Sequence, residues 1–116
     1  MTAEGLLCRE YLGWKHSDER LRSGVNYLLA NPIDYNSSES HQNVYYWYYA
    51  TQTLHHMDGD DWDKWNKVMR QAVPTHQIKS GAEKGSWATT AGDSHGGAGG
   101  RLYTTCLSIY MLEVYY

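Results

Sequence analysis

The sequence predicts an all-α fold assembled from repeated helical hairpins. Three observations predict it. The apolar periodicity is helical almost throughout the chain. Three segments align with one another, "MTAEGLL" from Met1, "YATQTLH" from Tyr49 and "YTTCLSI" from Tyr103. In each, a bulky residue is followed by two small ones and then a helical apolar run, at offsets of roughly 50 residues, a period in the range of the longer helical repeats. Finally, "YYWYY" at Tyr45–Tyr49 places aromatics on every side of one helix, since successive residues turn by about 100°. A helix of that kind is surrounded by protein or has one side on a cavity.

Five helices follow in order. The first spans about Thr2–Leu12, with Leu6, Leu7 and Tyr11 on one face and Gly13 to end it. The second spans about Asp18–Ala30, with Ser17 as N-cap and Asp18 and Glu19 at the positive end of the helix dipole. Leu21, Val25, Leu28 and Leu29 form its stripe, and Asn31-Pro32 stops it. After a polar loop the third helix runs from about Asn43 to Met57. "DGD" marks a turn, and Asp60 or Asp61 caps a fourth helix over about 61–72, with Pro74 just beyond it. Residues 81–100 are glycine-rich and read as a loop that Trp87 pins down. The last helix covers about 102–116.

The 116 residues allow one small domain and one modest core, taken here as 1–116. A net charge of −3 carries no basic footprint for nucleic acid. No apolar run is long enough for a membrane span. Eleven Tyr and five Trp stand against no Phe, a bias toward half-buried or cavity-lining rings with a polar tip. Cys8 and Cys106 form neither a disulfide framework nor a metal spacing and read as small apolar residues. Both ends read as cut inside a helix, which predicts a piece of a longer protein. The absence of a signal peptide then leaves localisation open, and the remainder of the parent chain becomes the first expected partner.

On the third helix, Val44, Trp47, Tyr48, Thr51 and His55 form one face, and Tyr45, Tyr49, Gln52 and His56 another. Two different buried faces fit the inner layer of a two-layer helical assembly. Tyr45, Trp47, Tyr48, Gln52 and His55 are therefore the candidate ligand-binding residues.

The segments "YYWYYATQTLHHM", "GSW" at Gly85–Trp87 and "GGRLYTTCLSIYMLEVYY" from Gly99 onward resemble the squalene-cyclase and protein-prenyltransferase repeat superfamily, and most of all the bacterial prenyltransferase and squalene oxidase repeat proteins. Gln77 ahead of "GSW" is similar to the glutamine–tryptophan motif of triterpene cyclases, with a longer gap. The resemblance covers about 43–116 well and the first 42 residues weakly. It implies an α/α toroid with inner and outer helices around an apolar cavity. A closed toroid needs about twice the helices present, so the chain is an incomplete toroid. One toroid serves several functions, so the fold does not choose among them.

Asp58-Gly59-Asp60-Asp61 matches the Asp-x-Asp-Asp string of class II terpene cyclases, in which a protonated aspartate acts as general acid. Crowded carboxylates in a dry cavity raise each other's pKa, and aromatic faces stabilise the cation that follows. Asp58, Asp60 and Asp61 are thus candidate catalytic residues. Against them stands the ordinary reading of Asp-Gly as a turn and of Asp at a helix start as a cap, with Trp62 where cyclases carry a small residue. Prenyltransferases bind zinc through Asp, Cys and His. Asp93, His95 and Cys106 are present without the Asp-x-Cys pair, and adjacent His55 and His56 point apart, so no metal or other cofactor is expected. No Cys-Gly-Glu-Gln thioester string occurs. "GDSHGGAGGR" lacks a P-loop ending, and consecutive Asp93, Ser94 and His95 read as loop and not as a triad.

The reading that results is a binding or scaffold module with an aromatic concave surface for an apolar, isoprenoid-like ligand or a protein partner. Part of a class II cyclase or prenyltransferase-type enzyme is the alternative.

Overall fold

The computed structural model describes residues 1–38 and 42–116. Among them are five helices and no strand. They are α1 (Thr2–Tyr11), α2 (Glu19–Ala30), α3 (Val44–Met57), α4 (Gly59–Thr75) and α5 (Gly96–Leu112).

The helix ends depart from the sequence reading in four places. Asp18, not Ser17, caps α2, because its carboxylate accepts the Arg20 amide at 2.9 Å. Neither Asp60 nor Asp61 caps α4. Asp58 alone separates α3 from α4, so both fall inside the first turn, where their charge suits the dipole. Helix α4 continues through Pro74 to Thr75, and the Pro74 nitrogen has no hydrogen to give the Arg70 carbonyl one turn back. Helix α5 begins at Gly96 but kinks at Gly100 (φ 64°, ψ −162°), a conformation open to glycine, and its main run stops at Leu112.

Helix α3 touches each of the other four. Helices α1 and α5 flank it without touching one another, so α1, α3 and α5 form a row. Helices α2 and α4 pack against each other and behind that row. The reason is legible in α3. Trp47, Ala50, Thr51 and Leu54 are fully buried on its rear, where Trp47 and Trp65 are the two largest sealed side chains. The Trp65 indole N–H donates to Thr51 Oγ1 at 2.9 Å, and that hydroxyl donates to the Trp47 carbonyl at 2.7 Å. The polar tip of a core tryptophan is thereby satisfied. Asn43 caps α3 by accepting the Tyr46 amide.

Small residues set the spacing between helices. Thr53 Oγ1 reaches the Ala3 carbonyl at 3.2 Å, which joins α3 to α1. A Cβ at Gly24 would lie 2.3 Å from a Leu6 methyl, so glycine there lets α2 close on α1.

The loop after α4 is pinned by Trp87, as its sequence position predicts. The ring is 3% exposed, its Nε1–H donates to the Val73 carbonyl at 2.7 Å, and its amide donates to Thr105 Oγ1 on α5. The Gln77 amide closes the same loop by donating to the Gly85 carbonyl at 3.0 Å.

Candidate functional site

The side of α3 not covered by α2 and α4 carries Tyr45, Tyr48 and Tyr49. Tyr45 and Tyr49 meet edge to face at 4.8 Å between ring centres, and Tyr48 meets Tyr49 at 5.0 Å. Neighbouring helices extend the surface. Tyr110 of α5 lies 6.2 Å from Tyr48, and Tyr11 of α1 sits edge-on to His56 at 5.3 Å. Tyr11 is 66% exposed and Tyr110 50%, so the front of the row is open to solvent at its outer rings.

At one end of this front a polar cluster stands under the glycine-rich segment. The His95 ring lies over Tyr45 at 4.5 Å. The side chain of Asp93 is fully buried. Its Oδ1 accepts the His95 amide at 2.9 Å and faces His95 Nδ1 at 3.4 Å, while its Oδ2 has no partner. Tyr103 Oη is sealed and unpartnered as well. Burial, reinforced by the Asp93 carboxylate, pushes the Tyr103 phenol up. Burial, with Tyr49 and Glu4 beside it, pushes Tyr45 up to about 12. Burial works against the Glu4 carboxylate, but the Met1 ammonium at 2.8 Å and hydrogen bonds hold it below the usual range. Glycine is required at 99, where a Cβ would lie 2.6 Å from the Tyr103 side chain.

The sequence candidates separate in space. Tyr45 and Tyr48 lie on the front with half-buried Gln52. Trp47 lies on the rear, 1% exposed, its ring 4.7 Å from Tyr35. His55 packs edge-on against Trp62 of α4 at 4.9 Å. Of the aspartates, Asp58 and Asp60 are exposed, and Asp61 pairs with Arg22 of α2. Among the described residues no three His, Cys, Asp or Glu side chains come together as a metal set, and no helix is long and apolar enough to cross a membrane.

Two groups were not singled out by the sequence reading, Glu4 and Tyr103 at the polar end of the front, while Asp93 was weighed as a zinc ligand and then read as loop. The signal was the helical register, since Tyr103 opens the third repeat segment and Glu4 falls in the first. Two concavities lie elsewhere. One of about 410 Å³ is bounded by Tyr27, Asn31, Asp34 and Tyr46, and one of about 220 Å³ by Tyr35, His76, Trp87 and Thr90. Tyr35 stacks on His76 at 3.9 Å in the second. Compared with known proteins, the chain matches no family model, no curated protein and no solved structure.

Proposed function

We propose that this chain is a binding or scaffold module of the squalene-cyclase and prenyltransferase repeat type, a portion of an α/α toroid, whose aromatic front holds an apolar, isoprenoid-like ligand. One observation carries the reading. The α1–α3–α5 row is backed by α2 and α4, yet its other side is left open and is built of tyrosine rings. Rings with a polar tip can stay wet when empty and still present apolar faces to a ligand. Contiguous apolar surface of this sort marks a binding face.

The cyclase alternative draws less support. A general acid works from a dry cavity. Asp60 is exposed, and Asp61 is engaged by Arg22.

The test is equilibrium binding of a prenyl alcohol, read by displacement of an apolar fluorescent probe. Tyr48→Ser and Tyr49→Ser are each expected to weaken binding by about 1–2 kcal/mol from lost ring burial. Failure of the alcohol to bind up to its solubility limit overturns the reading. Capture of a protein partner with no alcohol binding would replace the ligand by a partner. Turnover of a polyprene that Asp60→Asn abolishes would restore the enzyme alternative.

A further inference from the structure

Helices α1 and α5 stand at the two ends of the row. Each has α3 beside it within the row and, among the described residues, no helix beyond it. The uncovered flank of α1 carries Gly5, Cys8 and, at its end, Leu12, all exposed and uncharged, at positions i, i+3 and i+7 of one helix face. A Cβ at Gly5 would meet nothing within 4 Å, so no contact inside the chain requires glycine there. The uncovered flank of α5 carries Leu102 and Ile109, 76% and 38% exposed, with half-buried Thr105 and Cys106 between them.

Both flanks have counterparts that the row already pairs. In the alignment of the segments from Met1 and Tyr49, Gly5 falls on Thr53, the α3 residue whose hydroxyl reaches the Ala3 carbonyl of α1. Cys8 falls on His56, which sits against Tyr11 of α1. In the alignment with the segment from Tyr103, Thr105 and Ile109 fall on Ala3 and Leu7, which are buried on α1. The flank with which α3 meets α1 thus has an open counterpart on α1, and the buried side of α1 has an open counterpart on α5.

We propose that these two ends are the halves of one interface and that the chain associates head to tail with a second copy of itself, α1 of one copy on α5 of the other. The contact continues the row in the register by which α3 packs on α1. It is separate from the tyrosine front and does not depend on a ligand there.

Gly5 lets the α1 backbone come close to Thr105, as Gly24 lets α2 close on α1. Docking removes Cys8, Leu12, Leu102 and Ile109 from water, and none of these positions carries a charge to desolvate. Because the joined patches differ, the contact is heterologous, and it closes a ring or continues as an open array according to the rotation between copies.

The experiment is sedimentation equilibrium over about 5–500 μM. The parent mass is expected to rise above that of the monomer with concentration. Gly5→Glu blocks the α1 end and Ile109→Glu the α5 end, and each variant alone is expected to stay monomeric. An equimolar mixture of the two retains one intact end of each kind and is expected to form a one-to-one pair and nothing larger. Glu is a better helix former than Gly, so Gly5→Glu separates loss of docking from loss of fold. Leu102→Glu, at the more exposed residue, replaces Ile109→Glu if circular dichroism shows the latter unfolded. A parent that stays monomeric throughout overturns the inference. Dissociation by only one of the two blocking variants overturns it too, because that outcome means like ends pair with like. So does a mixture that stays monomeric at the top of the range.

Discussion

Glu10 offers a sharp test of how α1 is packed. It follows Leu6 and Leu7 on the inward stripe of the helix, and both of its carboxylate oxygens are sealed without a partner. Burial alone pushes its carboxyl from an ordinary 4.5 to about 7. Between those values the folded state holds a proton that the unfolded chain releases. Stability is therefore full at and below pH 4.5, falls as pH rises, and levels off above pH 7. At about 1.36 kcal/mol per pH unit the full difference is about 3.4 kcal/mol. The residue as a whole is only half-buried, and solvent screening reduces this to about 1.5–3 kcal/mol. Glu10→Gln removes the charge and keeps the shape. The variant should match the parent near pH 4.5 and exceed it by about 2 kcal/mol at pH 8. Urea unfolding followed by tryptophan fluorescence from pH 4.5 to 8.5 reads this as a midpoint gap opening to about 1–2 M. Curves that stay parallel across the range would refute the argument, because they would mean that Glu10 reaches water in the folded state.

Thr51→Val should cost about 1–3 kcal/mol, since it keeps the volume but leaves the Trp65 indole N–H buried without an acceptor. Thermal unfolding checks it, and a change below about 0.5 kcal/mol would show that the indole finds another partner. Asp58→Gly should stabilise the chain by about 1 kcal/mol. Asp58 sits at φ 60° and ψ −173°, a region that glycine enters freely, and its side chain makes no capping hydrogen bond. Loss of stability in that variant would mean that the carboxylate has an unseen role at the α3–α4 junction.

The five helices were legible because apolar spacing and stop signals are local. Leu21, Val25 and Leu28 are buried as their spacing requires, and Asn31 ends α2 where the Asn-Pro pair says it should. The helix boundaries were less legible for a tertiary reason. Ser17 and Asp18 are both capping residues, and only the backbone path selects Asp18. Trp47 shows the same limit within the candidate site. Its position in "YYWYY" gives it the chemistry of its neighbours, but the fold turns it to the rear against Tyr35 and leaves Tyr45, Tyr48 and Tyr49 toward the front. The wheel of α3 supplies the angles. Which angle faces solvent depends on where α2 and α4 dock.

The three aspartates at the α3–α4 junction illustrate why spacing alone underdetermines chemistry. Asp58 holds the link between two helices in a backbone conformation unusual for a side-chain-bearing residue. Asp60 adds charge to an exposed first turn. Asp61 reaches across to Arg22 and ties α4 to α2, its side chain 15% exposed. One string thus spreads over three settings: a link between helices, an exposed first turn and an ion pair. Carboxylate oxygens sealed from water lie elsewhere in the fold. Glu10 and Asp93 are separated by most of the chain, belong to no motif, and each has at least one sealed carboxylate oxygen with no partner. Desolvation, and not the crowding of adjacent aspartates, is what perturbs Glu10. Desolvation depends on which residues the fold brings over a side chain, and a four-residue pattern does not encode that.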